Sequence, residues 1–399
     1  MSFDKLGYQQ DAKVSLPKGW EIKKLGEVVD IVNGKSQAAV ISENGQYPIY
    51  GSAGNLMGYA TEYICEAGTT IIGRKGNISN PIFVEERFWN VDTAFGLFPK
   101  NGYSPKFIHY LCQTIDFKSR NRGTTIPSLV KSDLLTIVVP FISSLPEQQR
   151  IVSILDECFS AIERSRNNAE QNLKNAKELF ESYLQGVFEK KGDGWEEKTL
   201  GEVCTLYQGI AINAKTKHAL VEKSDLPLLR IKDLKNNTVE QFVDPDNFPK
   251  NALVNEADIL YTRTGSLGLV FRGRRGVLHN NSFKVVPNNQ IDKDFLFIWL
   301  QNPTFKSKIM ELALKAAQPD ITHAIFKIQM IALPPLLEQQ TIVRQLDALR
   351  AETQKLEGVY QKKIADLEEL KKSILQKAFS GELRGGEPVE TKTKNLHVV

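Results

Sequence analysis

SLPEQQRIVSILD (144–156) returns almost two hundred residues later as PLLEQQTIVRQLD (335–347). Both stretches read as helix openings. Pro146 and Pro334-Pro335 stand just ahead of Glu147 and Glu338, where proline suits a first turn, and no further proline follows in either segment. From 147 to 188 there are 42 residues, a rod of roughly 60 Å at about 1.5 Å per residue. Apolar or small residues recur in steps of three, four and seven. In the first rod they are Leu155, Cys158, Ile162, Ala169, Leu173, Ala176, Phe180, Tyr183 and Val187. In the second they are Leu346, Leu349, Leu356, Tyr360, Leu367, Leu370 and Ile374, with Thr353 and Lys363 interrupting the stripe. That spacing marks a coiled-coil seam. One rod cannot hide such a stripe, so each copy is expected to cover the other, antiparallel. The pairing set is Leu155, Ile162, Ala169, Ala176 and Tyr183 with Leu346, Leu349, Leu356, Tyr360, Leu367 and Ile374.

The repeat extends beyond these rods. GWEIKKLGEVVDIVNGKS (19–36) matches GWEEKTLGEVCTLYQGIA (194–211), and ESYLQGVF (181–188) matches KSILQKAF (372–379). The EQQ and ESYLQGVF blocks recur at one offset, 191 residues (147 to 338, 181 to 372), so the segment between them keeps its length. The stretches between the first block and EQQ diverge in sequence and in length. Missing such self-similarity would misread the whole architecture. The order predicts an α+β chain: two pseudo-twofold-related α/β domains joined and spaced by two long antiparallel coiled-coil helices. Its expected parts are a leader (1–18), a first domain (19–145), a spacer helix (146–190), a second domain (194–335), a second spacer helix (336–380) and a flexible, glycine-rich polar tail (381–399). The helices should stop near Gly192–Gly194 and Gly381. Inside the variable blocks, TTIIGRK (69–75) and DILYTRT (258–264) read as short buried strands, with NPIFVEE and GLVFRG following as strands. FIHYLCQTIDFKSR (107–120) and FLFIWLQNPTFKSK (295–308) each read as one helix.

Length and composition bound the rest. A chain of 399 residues with 41% apolar and 25% charged residues predicts at least two globular domains. The longest apolar runs are too short to span a bilayer and the start carries no secretory core, which predicts a cytoplasmic protein. Cys65, Cys112, Cys158 and Cys204 lack zinc-ligand spacing and read as reduced thiols; the five histidines are scattered. A net charge of +4 is too small to argue for nucleic acid by itself.

Taken in order and in duplicate, GWEIKKLGEV, the strand-turn RKG or RTG, the proline-ended segment and EQQRIV or EQQTIV leading a long helix resemble the specificity subunit of type I restriction–modification systems. The resemblance covers roughly residues 18–380. It implies that each variable block is a target recognition domain reading a few base pairs, and that the paired helices set the distance between half-sites of an asymmetric bipartite target. It also implies a non-catalytic subunit recruiting two adenine-methylating and two restriction-translocating subunits, with S-adenosylmethionine, ATP and magnesium used only on those partners.

Candidate contacts to double-stranded DNA follow from residue chemistry: phosphates take Lys, Arg and small polar donors, and bases take bidentate groups. KSRNRGTTIPSLVK (118–131) offers Lys118, Arg120, Arg122 and Lys131 with no acid, plus Asn121, Thr124, Thr125 and Ser128. RTGSLGLVFRGRR (263–275) offers Arg263, Thr264, Ser266, Arg272, Arg274 and Arg275, again with no acid. Arg74, Lys75 and Asn77 stand in the first copy where Arg263, Thr264 and Ser266 stand in the second, and Gln318 and Thr322 are weaker candidates. A charged run is more often a solvated face, so each residue singly is an even choice. Trp20 and Trp195 are expected to anchor the first strand rather than stack on bases.

Two other readings compete. Asn302-Pro303-Thr304-Phe305 superficially resembles the Asn-Pro-Pro-Phe signature of adenine methyltransferases, but its third residue is Thr and no glycine-rich cofactor loop accompanies it; it reads as a helix-breaking turn. No phosphate-binding GxxxxGK[ST] loop is present, so an ATP-driven motor must reside elsewhere. A coiled-coil adaptor binding only proteins is the remaining alternative.

Overall fold

The computed structural model describes residues 16–190, 192–315 and 318–383. The chain divides into two compact units. One holds the N-terminal part through Ala169 with the segment from Lys362 onward; the other runs from Glu170 to Gln361. Most of the expected leader, and the tail from 384 onward, lie outside the described residues.

Both units are built alike. In the first, a strand at Trp20–Lys24 pairs antiparallel with Val138–Ile142, the strand that feeds the first long helix. In the second, Glu196–Thr199 pairs with Met330–Leu333 ahead of the second long helix. Each unit then carries a four-stranded antiparallel sheet. Its order in the first is Val29–Asn33, Ala94–Pro99, Thr69–Gly73, Ile82–Val84. In the second it is Cys204–Gln208, Ser282–Pro287, Ile259–Thr262, Val270–Phe271. Each unit also has a three-stranded sheet with one parallel pair, and the second adds a two-stranded sheet of Leu220–Val221 with Phe242–Val243. The strands expected at 69–75 and 258–264 are the fully buried central ones, all five residues of Thr69–Gly73 and all four of Ile259–Thr262.

The repeated motifs have local physical reasons. LGEV folds as one helical turn in both copies, Leu25–Val28 and Leu200–Val203. Its leucine and valine are fully buried, and its glutamate accepts the N–H of the residue before the turn, Glu27 from Lys24 (2.7 Å) and Glu202 from Thr199 (2.6 Å). Gly34 and Gly209 lie so close to the neighbouring backbone that a Cβ would fall 1.8 Å from Val91 O and 2.4 Å from His279 O. In EQQ the first glutamine is the structural one. Gln148, fully buried, accepts from Ser104 N–H (2.8 Å) and donates to Ile142 O (2.7 Å). Gln339 accepts from Asp292 N–H (2.7 Å) and donates to Pro334 O (2.8 Å) and Gln290 O (3.1 Å). Ser104 and Asp292 cap the helices Pro105–Thr114 and Lys293–Trp299, so each glutamine fastens a domain helix to the start of a long helix.

The long helices are Leu145–Glu189 and Leu336–Phe379. In the first unit, Lys371 lies over the ring of Phe159 and Arg166 pairs with Glu368 at 3.1 Å, an antiparallel register; Leu155 shares a core with Leu375, Ala378 and Phe379. In the second, Arg350 lies over Phe180, and Leu184 shares a core with Ile342, Val343 and Leu346. Leu155, Ile162, Ala169, Ala176 and Leu346 are buried, and Leu349, Tyr360, Leu367 and Ile374 are half-buried. Three members of the expected stripe are exposed: Tyr183, Leu356 and Leu370, the last at 47%. Tyr183 is 41% exposed and its neighbour Leu184 is buried instead. An α-helix drifts by about 20° per heptad, so four heptads beyond Leu155 the next residue has taken over the seam. Leu356, 42% exposed, lies roughly 80° off the line of Leu346 at about 100° per residue. Thr353 does not break the seam: it is buried, and its hydroxyl donates to Leu349 O (2.8 Å).

Three further expectations change. FLFIWLQNPTFKSK is two helices, Lys293–Trp299 and Pro303–Ala313, because Pro303 cannot continue the first and Asn302 accepts the Thr304 N–H (2.8 Å) to cap the second. FIHYLCQTIDFKSR likewise stops at Thr114 and resumes as a short 3₁₀ turn, Phe117–Arg120, capped by Asp116. Residues 381–383 are not free: Leu383 O accepts from Arg150 (2.7 Å) and Leu383 packs against the first unit's core. None of the four cysteines is disulfide-bonded; Cys158 is half-buried, and burial pushes the thiols of Cys65, Cys112 and Cys204 up to about 12. No helix among the described residues is long and apolar enough to cross a membrane, and no acidic, His or Cys cluster there suits a metal ion.

Candidate nucleic-acid interface

In the first unit the central strand ends in Arg74-Lys75-Gly76-Asn77, and a loop from far along the chain crosses it. Leu129 N–H donates to Arg74 O (2.8 Å), Gly76 N–H donates to Pro127 O (2.9 Å), and Lys75 and Ser128 form a β-bridge. Two stretches that the sequence presents fifty residues apart thus form one platform. Gly76 has φ +79°, a conformation suited to glycine. Lys75, Asn77, Lys118, Arg120, Arg122, Thr124 and Thr125 are exposed; Arg74 and Ser128 are half-buried. No ion pair among the described residues engages Lys75, Lys118 or Arg120. Arg74 donates to Asp92 O (3.1 Å), and Arg122 pairs with Asp133 (2.8 Å), an acid just past the end of the cationic run.

In the second unit the same connection recurs. Ile321 N–H donates to Arg263 O (2.9 Å), joining the turn Arg263-Thr264-Gly265-Ser266 to the loop that carries Gln318. Gly265 has φ +73°. Here the charges are answered internally. The Arg263 guanidinium grips Asp320 through two parallel contacts, Nε to Oδ1 at 2.9 Å and Nη2 to Oδ2. Ser266 Oγ accepts from Lys235 (2.9 Å), Thr264 is half-buried, and Gln318 is exposed.

The stretch 263–275 is not one patch. Leu260 stands opposite Phe271 in a hairpin, which returns Arg272, Arg274 and Arg275 to the far end of the strand, roughly 13 Å from Arg263 at about 3.4 Å per residue. Arg272 pairs with Asp294 and lies over the Phe297 ring (4.1 Å to the centroid). Arg274 donates to Asn237 Oδ1 and to Thr238 O (2.9 Å), and exposed Arg275 lies 3.9 Å from Asp225. A linear run of arginines concealed this, because their partners come from other segments.

Each unit also places a histidine beneath its sheet. Burial pushes the His109 imidazole down to about 4, assisted by Lys371 and Lys106 and opposed by Asp156. His323 is lowered by burial and by Arg263 and Lys327. Trp20 packs on Phe107 and Phe379, and Trp195 donates to Glu338 (2.9 Å), so neither ring is offered to a base. Sequence reasoning missed Asp320 as the partner of Arg263. It took Asn121 and Lys131 for DNA contacts, whereas Asn121 organises the first loop and Lys131 donates to Ile31 O (2.6 Å), and it missed Ile126, which that loop leaves 60% exposed. Only the Asn-x-Gly spelling at 121–123 hinted at a turn.

Known proteins place this arrangement. The model of the type I restriction modification DNA specificity domain matches twice, at residues 17–171 and 192–366. The specificity subunit of the MjaVIII enzyme from Methanocaldococcus jannaschii is 22% identical, over 92% of this chain and 94% of that one. The EcoDI specificity subunit of Escherichia coli is 22% identical, over 92% and 89%. Among solved structures, a chain from work on complex assembly and conformational transition of the type I R-M system superposes with a TM-score of 0.77 at 19% identity, covering 93% of this chain and all of that one. The HsdS subunit from Thermoanaerobacter tengcongensis gives a TM-score of 0.59 at 19% identity, covering 94% and all of that chain. Two family-model matches, one per repeat and together spanning most of the sequence, show that this chain belongs to the DNA specificity subunits of type I restriction–modification systems, the non-catalytic components of those complexes.

Proposed function

We propose that this subunit directs its complex to a split, asymmetric DNA sequence, with residues 19–145 reading one half-site and residues 194–335 the other. The helices within 146–190 and 336–380 set the spacing between the half-sites and dock two modification subunits on equivalent faces, with two restriction subunits completing the complex. The observation that carries this reading is the duplicated platform. Both units join the turn after the central strand to a distant loop through a backbone bond to the same arginine position, Arg74 and Arg263, while the side chains around it differ. A shared frame with unlike tips is what two different half-sites require. The phosphate contacts fall to Lys75, Lys118 and Arg120, and the polar tips Asn77, Thr124, Thr125, Ser128, Thr264, Ser266 and Gln318 serve as the donors and acceptors for bases.

Methylome sequencing of a host carrying this subunit with its partner subunits tests the proposal. The expected result is N6-methyladenine in a bipartite motif, and replacing residues 19–145 with those of a relative changes one half only. A continuous motif, or changes in both halves after that exchange, refutes it. Removing seven residues from both long helices at matched positions should alter the spacer; an unchanged spacer with full activity removes the ruler role.

A further inference from the structure

The loop Asn121–Ser128 is built rather than slack. The Asn121 side chain accepts the N–H of Gly123 (2.8 Å) and of Ser128 (2.8 Å) and donates to Gly123 O (3.0 Å). Arg122 N–H donates to Ser128 O (2.8 Å), and a Cβ at Gly123 would fall 1.8 Å from Ile126 O, so the chain doubles back on itself where only glycine fits. Leu129, 2% exposed, roots the loop in the core, and the Gly76 and Lys75 contacts brace its side. What this frame holds at its tip is Thr124, Thr125 and Ile126, all exposed. A β-branched aliphatic side chain 60% exposed on a braced loop carries no load in the fold. Its surroundings are cationic: Lys75 lies across the bridge and Lys118 and Arg120 just before the loop, while the flanking acids are already engaged, Asp116 capping the 3₁₀ turn and Asp133 paired with Arg122.

We propose that Ile126 is a specificity-determining residue: on the preformed loop it contacts the C5-methyl group of a thymine in the major groove of the half-site read by the first unit. The thymine methyl is the one apolar feature a base pair presents there, and an aliphatic side chain is the group that reads it. Flanking cations seat the loop on phosphates, and Thr124 and Thr125 supply hydrogen bonds to neighbouring base edges. Because Asn121 already fixes the loop, little ordering is left to binding. This inference rests on the DNA-reading role proposed above.

The test uses the assembled methylating complex and duplexes in which each thymine of the recognised site is replaced in turn by deoxyuridine, which removes only the methyl. Wild type should lose about fourfold in affinity at one position of the first half-site, the worth of one buried methyl-sized group. Ile126→Ala should weaken the thymine duplex by a similar factor and be indifferent to deoxyuridine there, while Ile126→Val keeps most of the preference. The second half-site is unaffected throughout. If wild type is site-specific but ignores every deoxyuridine in that half, or if Ile126→Ala keeps the wild-type preference, the assignment to Ile126 is overturned. Absence of any site-specific binding by the wild-type complex would instead overturn the DNA-reading role itself.

Discussion

The two platforms share a skeleton and differ in what they do with charge. In the first unit, Lys75, Lys118 and Arg120 stand in solvent unpaired among the described residues, and Arg122 alone in that loop meets an acid. In the second, Arg263 closes on Asp320 and Ser266 is tied to Lys235, while Arg272, away at the far end of the strand, is held by Asp294. The same backbone bond supports both. A duplicated chain can therefore keep the frame under tight constraint while the surface it carries changes from open and cationic to largely paired. The first unit should contribute more of the salt-dependent affinity, and the second should depend more on the shape that its ion pair imposes.

The largest expected effect tests whether the frames are equivalent. Gln148→Leu leaves Ser104 N–H and Ile142 O unpaired in the interior, and Gln339→Leu does the same to Asp292 N–H and Pro334 O. Each should cost on the order of 3 kcal/mol, read by denaturant unfolding. The adjacent Gln149→Ala and Gln340→Ala, at exposed positions, should change stability by less than about 0.5 kcal/mol. A large loss at one buried glutamine and none at the other would break the equivalence.

Next comes a pH dependence led by His109 in the first unit, to which His279 and His323 of the second, also lowered by burial, add in the same direction. His109 titrates near 4 when folded, below its ordinary value of 6.5. Above 6.5 both folded and unfolded forms are neutral there, so nothing is lost. As pH falls from 6.5 toward 4 the unfolded chain takes up the proton first, and stability drops with a limiting slope of about 1.4 kcal/mol per pH unit. His109→Gln should flatten that part of the profile. If the acid-side loss persists unchanged in the variant, another group is responsible.

That histidine also marks what the sequence could and could not disclose. The repeat, the rods and the buried central strands were legible, because each is written in local periodicity or in self-comparison: EQQ, the stripe from Leu155, TTIIGRK. The platform was only half legible. RKGN and KSRNRGTTIPS each looked cationic, yet nothing local says that Leu129 N–H will reach Arg74 O. Arg272, Arg274 and Arg275 looked continuous with Arg263, and a two-residue hairpin pairing sent them elsewhere. The acids that pair with Arg272 and Arg263, Asp294 and Asp320, lie 22 and 57 residues away in the chain. Long-range pairing decides which charges remain free, and it leaves no periodic trace.

The charge contrast itself can be sharpened by salt titration of DNA binding by the assembled complex. Lys75→Gln should lower the slope of log affinity against log salt by about 0.9, the release expected from one phosphate contact. Arg263→Gln should leave the slope nearly unchanged, since its charge is already matched by Asp320. Asp320→Asn frees that charge and should raise the slope, making the second platform resemble the first. Equal slope changes for Lys75→Gln and Arg263→Gln would erase the distinction drawn between the two units.

The smallest effect on the subunit alone is expected where the apolar stripe comes to the surface. Tyr183 and Leu356 fit the stripe by spacing, yet at about 100° per residue each lies roughly 80° off the line of Leu155 and Leu346 respectively. Tyr183→Lys and Leu356→Lys should therefore move the unfolding midpoint by no more than about 0.5 kcal/mol, whereas Leu155→Ala or Leu346→Ala, buried at comparable positions in the two copies, should cost about 2–5 kcal/mol. The lysine variants then carry a second readout. If these exposed faces serve the proposed docking of modification subunits, assembly measured by analytical ultracentrifugation weakens while the subunit's own stability does not. Loss of stability without loss of assembly would put Tyr183 and Leu356 back in the seam.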